Sequence, residues 1–544
     1  MLILIAMMLR RKLALVFAFA LSCFPAALVV DGAPVSLADD ARDAGSDTRD
    51  DDLMGSKPHI IVLLADNLGW ANVEWHRPPN LPAQDLYTPS LDALRKEGVE
   101  LDRHYTYKFC SPSRSSFLTG RLPFHVNIYN DDPTMPGQGV PRNMTMISSK
   151  LKSAGYSNHF IGKWHVGMSS RSMSTPLARD FDTSIGYFHS TNNYYDSTRA
   201  EGCNNSAAVD LWDGAGPALL NGTAYEERIF GKRAVDIIAN HDTSTPLFMY
   251  YAFHTSCVGW ASSGDVLQPD KVYYEKFAHI DDADRRANVA MVALMDDIVG
   301  NLTRALKENG MWTNTLLLWS SDNGGAVHLG GGASSWPLRG GYYNNWEGGI
   351  RVSALLSGGI LPSNVIGTKL SGFIHECDWF STFCYLAGVD ARENPSKALP
   401  PIDSLNVWPL IVGRNTTSPR VEWPLTPFGE EAGTRAPHGG DAAYIAEGRY
   451  KLLIGNIRQA GWTGQIHPNS TAPWDSFNDV LDCTARTEKL GCLFDIIDDP
   501  GEHRDLALSM PQKAQEIYSK MKAAELQWVC CSQNSFFFLH IYHR

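Results

Sequence analysis

One short segment of the chain carries a potential nucleophile beside a permanent cation. Residues 108–121 read KFCSPSRSSFLTGR, in which Cys110 is followed within four residues by a proline, a serine and Arg114. A thiolate attacks electrophiles, and a guanidinium stays charged at any ordinary pH. These residues alone leave three interpretations open, in which Cys110 is a buried thiol, half of a disulfide or the precursor of a more reactive group.

Two acid-amide pairs recur at equivalent places along the chain. Asp66 and Asn67 end the apolar run HIIVLLADN, and Asp322 and Asn323 end TLLLWSSDN. Such runs are typical of central strands in a helix-covered parallel sheet, where ligands gather beyond the carboxyl ends of the strands. The repeat therefore indicates a composite site. The alternative is that each pair only caps a helix or a turn.

Lys163 and His165 form a third polar group, in the segment HFIGKWH. Residues two apart on an extended strand point to the same side, so both side chains could enter one pocket. The alternative is a surface lysine beside a histidine whose hydrogen bonds are satisfied inside the protein.

The elements around these groups alternate between helix and strand, which predicts an α/β layer structure for residues 58–410. From about residue 411 turns multiply, which predicts a smaller α+β domain over 411–528, followed by a tail over 529–544. The strands are predicted at 59–67, 159–165 and 315–323, and the helices at 88–98, 144–155 and 288–310.

The N-terminus predicts export. Basic residues at 10–12 precede the apolar run Leu13–Val30, which is typical of a secretory signal peptide over residues 1–30. The alternative is an uncleaved membrane anchor. No comparable apolar run follows, so we expect no membrane contact beyond this segment. Residues 31–57 are acidic and poor in large apolar side chains, which predicts a flexible lead-in.

Composition narrows the possible classes of protein. The 544 residues carry a formal net charge of −12, which argues against broad nucleic-acid binding.

Ten cysteines in so long a chain do not form a disulfide scaffold, although Cys483 and Cys492 are close enough to be the best candidates for a pair. The number beyond the signal peptide is odd, which leaves at least one thiol without an intrachain partner, with Cys110 the obvious candidate. Acceptor tripeptides for N-linked glycans begin at Asn143, Asn204, Asn221, Asn301, Asn415 and Asn469.

The segment CSPSRSSFLTGR resembles the C-x-P-S-R-x-x-x-L-T-G-R signature of the type I sulfatases. Together with the segments that follow the family order, it spans roughly residues 59 to 507 and is most similar to the arylsulfatase B-like branch. The resemblance implies an alkaline-phosphatase-like fold, in which a mixed, mostly parallel sheet is flanked by helices and 58–410 is the catalytic domain. The further matching segments are LLADNLGW, GKWHVG, RDFDTSIGYF, SSDNGG, WPLRGGYYNNWEGGIR and LFDIIDDPGE.

The resemblance implies that Cys110 is oxidised to formylglycine by a formylglycine-generating enzyme in the secretory pathway. One hydroxyl of the hydrated aldehyde would attack sulfur, and the other would then lose its proton so that sulfate is expelled. Arg114 would stabilise the ionised diol, Lys163 would neutralise the sulfate, and His165 would contact the formylglycine hydroxyls.

The resemblance also implies a bound Ca²⁺ ion, or Mg²⁺ in its place, because both take oxygen ligands. Most sulfatases have an aspartate where this chain has Asn67, so the metal affinity should fall rather than vanish. The implied ligands are the formylglycine oxygen at Cys110 and the side chains of Asp66, Asn67, Asp322 and Asn323.

Two further positions depart from the family pattern. Cys257 stands where a histidine usually contacts the sulfate and the leaving oxygen, and Tyr342 stands where a sulfate-binding lysine is expected. His254 could substitute for the histidine if the end of the strand is remodelled. Each lost contact commonly costs ~2–4 kcal/mol of transition-state stabilisation.

We therefore expect a sulfuric ester hydrolase that releases sulfate from a sulfated small molecule or glycan, in a secreted or lysosome-like compartment. The first alternative is a catalytically impaired protein of the same fold that binds sulfated glycans, which Cys257 and Tyr342 favour. The second is a phosphate- or phosphonate-ester hydrolase of the same fold, because a fold alone does not specify a substrate.

Overall fold

The described part of the chain is built around two sheets and the helices that cover them. The structure is a computed structural model and describes residues 57–78, 85–128, 134, 138–199, 208–218, 224–257, 266–328, 330–397, 399–426, 441–466 and 480–524. The strands are β1 His59–Ala65, β2 Val99–Leu101, β3 His104–Tyr105, β4 Ser157–Lys163, β5 Thr183–Tyr187, β6 Thr198–Arg199, β7 Ala208–Val209, β8 Trp212–Asp213, β9 Gly216–Pro217, β10 Leu247–Ala252, β11 Thr315–Ser321, β12 Arg351–Val352, β13 Leu355–Ser357, β14 Thr368–Leu370, β15 Ile374–His375, β16 Trp423–Thr426, β17 Ala442–Ala446, β18 Tyr450–Arg458, β19 Val480–Cys483 and β20 Cys492–Asp495.

The larger sheet has ten strands within the described residues, in the order β14-β2-β13-β11-β1-β10-β4-β5-β8-β9. Its five central strands, β11 to β5 in that order, are parallel. Along β1, Ile60 and Val62 pack into the core on one face, and Ile61 and Leu63 pack into the core on the other. Burial on both faces explains why this strand reads as a continuous apolar run.

Helices cover both faces of this sheet. On one face, α1, α5 and α7 contribute apolar side chains to the core, and on the other face α2, α4 and α9 do so. The predicted fold class, a mostly parallel sheet flanked by helices, is therefore confirmed. The helices are α1 Pro89–Lys96, α2 Cys110–Thr119, α3 Pro123–Val126, α4 Ile147–Ser153, α5 Glu226–Ala239, α6 Lys271–Lys276, α7 Ala283–Glu308, α8 Glu347–Ile350, α9 Asp378–Ala387, α10 Trp408–Ile411 and α11 511–524.

The three strands predicted from the sequence are present, but each ends two residues earlier than predicted, at Ala65, Lys163 and Ser321. The polar residues after them leave the extended conformation. Asn67 has φ 56° and His165 has φ 52°, which is the left-handed region of the backbone. The strand ends are therefore set by the polar residues that turn away from the sheet.

The smaller sheet is antiparallel and formed by β16 to β20. Ala514 and Ile517 of α11 pack onto one side of it, and Trp346 packs on the other side. The predicted disulfide between Cys483 and Cys492 is confirmed. The boundary at residue 411 stays a prediction.

Several predictions fall on residues that the structure does not describe. The signal peptide over 1–30, the lead-in over 31–57 except its last residue, and the tail over 529–544 lie outside the described residues. Among the described helices, none combines the length and the apolar character that crossing a bilayer requires.

Candidate active site

Four parallel strands of the larger sheet deliver side chains to the same edge. Asp66 follows β1, Asp322 follows β11, Lys163 ends β4, and Cys257 lies beyond the end of β10. These strands are neighbours: β1 pairs with β10 and β11, and β10 pairs with β4. Their carboxyl ends therefore meet, which is where sheets of this kind bind ligands.

Arg114 of α2 joins the two acids at this edge. Its Nη2 donates to Asp66 Oδ2 at 2.9 Å and to Asp322 Oδ2 at 2.7 Å, and its Nε donates to the latter oxygen at 3.0 Å. Lys163 adds a second cation, with Nζ 2.5 Å from Asp66 Oδ2. All four side chains are fully buried. Two positive charges therefore face two negative ones out of contact with water.

The charge balance in this cluster depends on Arg114 and Lys163. Burial, and then the nearby Asp66, raise the pKa of Asp322 to about 6, although Arg114 and Lys163 act in the opposite direction. Two carboxylates this close repel each other once both are ionised. Arg114 and Lys163 therefore favour the charged form of Asp322 and partly offset the effect of its burial.

Cys110 is the first residue of α2 and is almost completely buried. Its Sγ lies 3.9 Å from Asp66 Oδ1 and 3.4 Å from Tyr342 Oη. Burial, and then the charge of Asp66, raise the pKa of this thiol well above its usual range. An unmodified thiol here stays protonated and is a poor nucleophile. The disulfide interpretation is wrong in this structure, because Cys110 is a free cysteine.

The argument that placed Lys163 and His165 on one face of a strand is wrong, because β4 ends at Lys163. His165 lies beyond the strand in a left-handed conformation, and its ring stacks against that of His189 with centroids 6.2 Å apart. The side chain of Lys163 bonds Asp66. The contact of His165 with the residue at position 110 stays a prediction.

The suggestion that His254 replaces a missing active-site histidine is wrong. Its ring is fully buried and stacked on Tyr194, with centroids 3.6 Å apart. Both ring nitrogens lie 3.3 Å from hydrogen-bond partners, Nδ1 from Glu226 Oε2 and Nε2 from Thr191 Oγ1. Because both nitrogens are already bonded, this histidine has no atom to offer a substrate.

Cys257 and Tyr342 do lie at the site. Cys257 Sγ is 3.8 Å from Lys163 Nζ, and Tyr342 Oη is within 3.4 Å of Cys110 Sγ. Burial raises the pKa of Cys257 to about 12, with a further contribution from Asp66. Both side chains are therefore neutral, so the positions where a histidine and a lysine were expected contribute no charge.

Glu227 is a residue of this region that the sequence did not indicate. Its carboxylate accepts from the backbone N–H of His254 at 2.8 Å and of Thr255 at 3.2 Å. The same segment is bonded to the backbone of Asp66. The N–H of Asp66 donates to the carbonyl of Thr255 at 2.9 Å, and the carbonyl of Asp66 accepts from the N–H of Ser256 at 2.8 Å. Acids at the start of a helix are common, so no sequence signal distinguishes this one.

Comparisons with known proteins agree with this geometry. The sequence profile of the sulfatase family matches residues 58–389. Over 480 residues the chain is 31% identical to arylsulfatase J of Mus musculus, which covers 86% of this chain and 75% of that protein. The chain belongs to the sulfatase family. The resemblance to type I sulfatases is thereby confirmed.

Other sulfatases show the same relationship. The chain is 28% identical over 377 residues to N-acetylgalactosamine-6-sulfatase of Homo sapiens, covering 66% of each protein. Among solved structures, Ps i-CgsB in complex with k-i-k-neocarrahexaose has a TM-score of 0.66 and 26% identity, covering 86% of this chain and 93% of that one. The alkaline-phosphatase-like architecture of this sulfatase is confirmed by such neighbours.

The oxygen atoms of this sulfatase's site fit a hard dication. Asp66, Cys110 and Asp322 offer ligand atoms that all lie within 4.8 Å of one another. Each carboxylate bonds the cationic side chains through Oδ2, whereas Oδ1 of Asp66 lies 3.9 Å from Cys110 Sγ and Oδ1 of Asp322 lies 3.4 Å from the backbone nitrogen of Asn67. Asn323 Oδ1 is buried without a hydrogen-bond partner. Ca²⁺ and Mg²⁺ prefer such oxygen donors, whereas a thiol sulfur is a poor ligand for either ion.

Changing Asn67 to aspartate is expected to tighten Ca²⁺ binding by about tenfold, because affinity at such sites rises with the number of charged ligands. At present Asn67 Oδ1 accepts a hydrogen bond from Asn323 Nδ2 at 2.6 Å. Isothermal titration calorimetry of Asn67→Asp, Asn67→Ala and the parent protein measures the effect. If all three proteins bind Ca²⁺ equally, residue 67 is not a ligand.

Proposed function

We propose that this sulfatase hydrolyses a sulfate monoester of a glycan, using a formylglycine formed from Cys110. The observation that carries the proposal is the position of Cys110 at the start of α2, beside Asp66 and in a buried cluster with Arg114 and Lys163. A thiol kept protonated by its surroundings is unsuited to attack sulfur directly. A modified side chain at position 110 removes that difficulty.

The residues around position 110 have separate tasks in this proposal. An aldehyde there supplies, as its hydrate, one hydroxyl that attacks sulfur as the S–O bond to the sugar breaks, its proton passing to the departing sugar alcohol. Deprotonation of the second hydroxyl then re-forms the aldehyde and breaks the C–O bond to sulfate, which leaves. Arg114 stabilises negative charge next to that group, and Lys163 Nζ binds an oxygen of the sulfate. The hydroxyl of Tyr342 lies 3.4 Å from Cys110 Sγ, so it can donate a hydrogen bond to an oxygen at position 110. The near-complete burial of these groups excludes water and strengthens each interaction.

A bound Ca²⁺ or Mg²⁺ would be held by Asp66, Asn67, Asp322 and Asn323, and would supply positive charge that favours ionised oxygen at position 110. His165 would hydrogen-bond to the hydroxyls at that position. Maturation would require a formylglycine-generating enzyme, and we expect the protein to pass through the secretory pathway and then to lie outside the cell or in a lysosome-like compartment.

Support for a glycan substrate comes from the relatives. One is N-acetylgalactosamine-6-sulfatase, and one solved neighbour holds k-i-k-neocarrahexaose. The proposal is tested by measuring sulfate release from N-acetylgalactosamine 6-sulfate and from carrageenan oligosaccharides, with protein made in cells that form formylglycine. Turnover of p-nitrophenyl phosphate above that of p-nitrophenyl sulfate would instead favour the phosphate-ester hydrolase.

A catalytically impaired, glycan-binding protein is the second candidate, and the neutral side chains of Cys257 and Tyr342 favour it. The double variant Cys257→His/Tyr342→Lys is expected to raise kcat by about 10²-fold or more, because each restored donor stabilises the transition state by several kcal/mol. Kinetics with p-nitrophenyl sulfate measure the change. Tyr342→Met, which is of similar length and uncharged, is the control and is expected to give no increase.

An unchanged or lower kcat in the double variant, with both proteins carrying the aldehyde, would show that the two neutral side chains do not limit the rate. Activity that appears only in the double variant would identify the natural chain as a binding protein.

A further inference from the structure

An aromatic wall packs against one side of Cys110, and one of its members, Tyr342, stands where a lysine was expected. We use the name aromatic wall for Tyr107, Phe109, Tyr342 and Tyr343, which pack together with the thiol. The rings of Tyr107 and Phe109 meet edge to face with centroids 5.0 Å apart, and those of Tyr342 and Tyr343 lie 3.8 Å apart. No member of the wall is charged at neutral pH.

Only one member of the aromatic wall remains partly exposed. Tyr107, Phe109 and Tyr342 are buried, with 2%, 8% and 3% of their surface exposed, whereas Tyr343 is partly exposed. Of the four rings, that of Tyr343 is therefore the one that a ligand entering from solvent can contact. It lies next to Tyr342, whose hydroxyl reaches the Cys110 sulfur.

The backbone at Tyr343 is in a conformation that a tyrosine rarely adopts. Its φ is 79°, in the left-handed region that favours glycine and asparagine. The N–H of Tyr343 donates to the carbonyl of Lys108 at 2.9 Å, which ties this strained residue to the segment that carries Cys110. A left-handed conformation of a residue other than glycine is unfavourable and persists only where surrounding contacts hold it. Such residues are concentrated at functional sites.

The phenol of Tyr343 also lies within electrostatic reach of the reacting groups. Burial raises its pKa to about 12, with further contributions from Cys110 and Cys257 that oppose a hydrogen bond from Tyr342. Tyr343 thus combines partial exposure with a ring contact to Tyr342, whose hydroxyl lies 3.4 Å from Cys110 Sγ.

Taking the proposed function as its basis, we propose that the Tyr343 ring is a platform for the sugar ring that bears the sulfate. The C–H face of a pyranose packs on an aromatic ring, whereas a second sulfate group gains nothing from a neutral wall. Tyr343 is therefore a specificity-determining residue that binds the carbon skeleton, while Arg114 and Lys163 act on the anion. The preferred substrate carries an uncharged ring next to its scissile sulfate.

Calorimetry with two probes separates the platform from the anion site. All proteins carry Cys110→Ala, so that the probe is not consumed, and the probes are N-acetylgalactosamine 6-sulfate and inorganic sulfate. Adding Tyr343→Ala is expected to weaken binding of the sugar sulfate three- to tenfold, which is about the contribution of one aromatic contact, and to leave inorganic sulfate unchanged. Tyr343→Phe is expected to bind both probes as the parent does.

Tyr343→Gly separates the ring from the backbone strain, because glycine adopts φ 79° without strain. It is expected to lose the same affinity for the sugar sulfate as Tyr343→Ala. The platform is wrong if Tyr343→Ala binds the sugar sulfate as tightly as the parent, or if it weakens both probes equally. If the parent binds neither probe, the proposed function itself fails, and the platform fails with it.

Discussion

Replacing Cys110 by alanine is expected to lower sulfate release by a factor on the order of 10⁶, the scale seen when a covalent nucleophile is removed. The thiol sits in the buried cluster with Arg114 and both acids, with Sγ 3.9 Å from Asp66 Oδ1. The measurement is sulfate release from N-acetylgalactosamine 6-sulfate, with circular dichroism to confirm that the variant is folded.

The Cys110→Ser variant gives a sharper result than the alanine. A serine hydroxyl can attack sulfur but has no second hydroxyl with which to expel sulfate. We expect at most one turnover and a peptide that carries a stable sulfate ester, which mass spectrometry detects. Repeated turnover by the serine variant would contradict the mechanism.

The aldehyde itself has a distinct mass. In active protein the peptide containing position 110 should be lighter than the cysteine peptide, because –CH₂SH has become –CHO. Turnover by protein whose position 110 is entirely unmodified thiol would overturn the role of formylglycine, while leaving the family assignment in place.

Removing Arg114 is expected to have the second-largest effect, which adds a loss of stability to the loss of rate that follows from its place in the site. Arg114→Met leaves Asp66 and Asp322 buried with Lys163 as their remaining cation, and breaking a buried ion pair in this way costs about 3–5 kcal/mol. Urea unfolding in EDTA measures the free energy of unfolding without a contribution from bound metal.

Two controls show whether the loss comes from uncompensated charge. Arg233 pairs with Asp213 at the surface, so Arg233→Met should cost no more than about 1 kcal/mol. Adding Asp322→Asn to Arg114→Met removes one of the opposed carboxylates and should recover part of the lost stability. A double variant no more stable than Arg114→Met would point to lost packing as the cause.

Part of the site follows from local sequence patterns. A run of apolar residues buried on both faces of a sheet is easy to recognise, and the acid after it falls at the carboxyl end of the strand. This is why Asp66 and Asp322 could be expected to lie close together. They are far apart in the sequence, since Asn67, the residue after Asp66, is 255 positions from its hydrogen-bond partner Asp322. Cys110, Arg114 and Lys163 follow from the family signature.

The remaining features depend on contacts between distant parts of the chain. The ring of His254 is hydrogen-bonded to Glu226 and Thr191, which lie in other segments of the chain. The sequence around His254 therefore does not indicate that this histidine is excluded from the site. His165 has a left-handed backbone and lies beyond the end of β4, so the alternation of side chains along a strand does not determine where it points. The conformation of Tyr343 is likewise imposed by a hydrogen bond to Lys108.

The burial of α2 has a consequence for how the protein matures. All ten residues of this helix are buried, and 2% of Cys110 is exposed. An enzyme that modifies this side chain cannot bind the segment once the surrounding parts of the chain have folded around it. Under the proposed formylglycine mechanism, conversion of Cys110 would therefore have to precede folding of the surrounding layers, and the fraction of modified molecules would be set during biosynthesis.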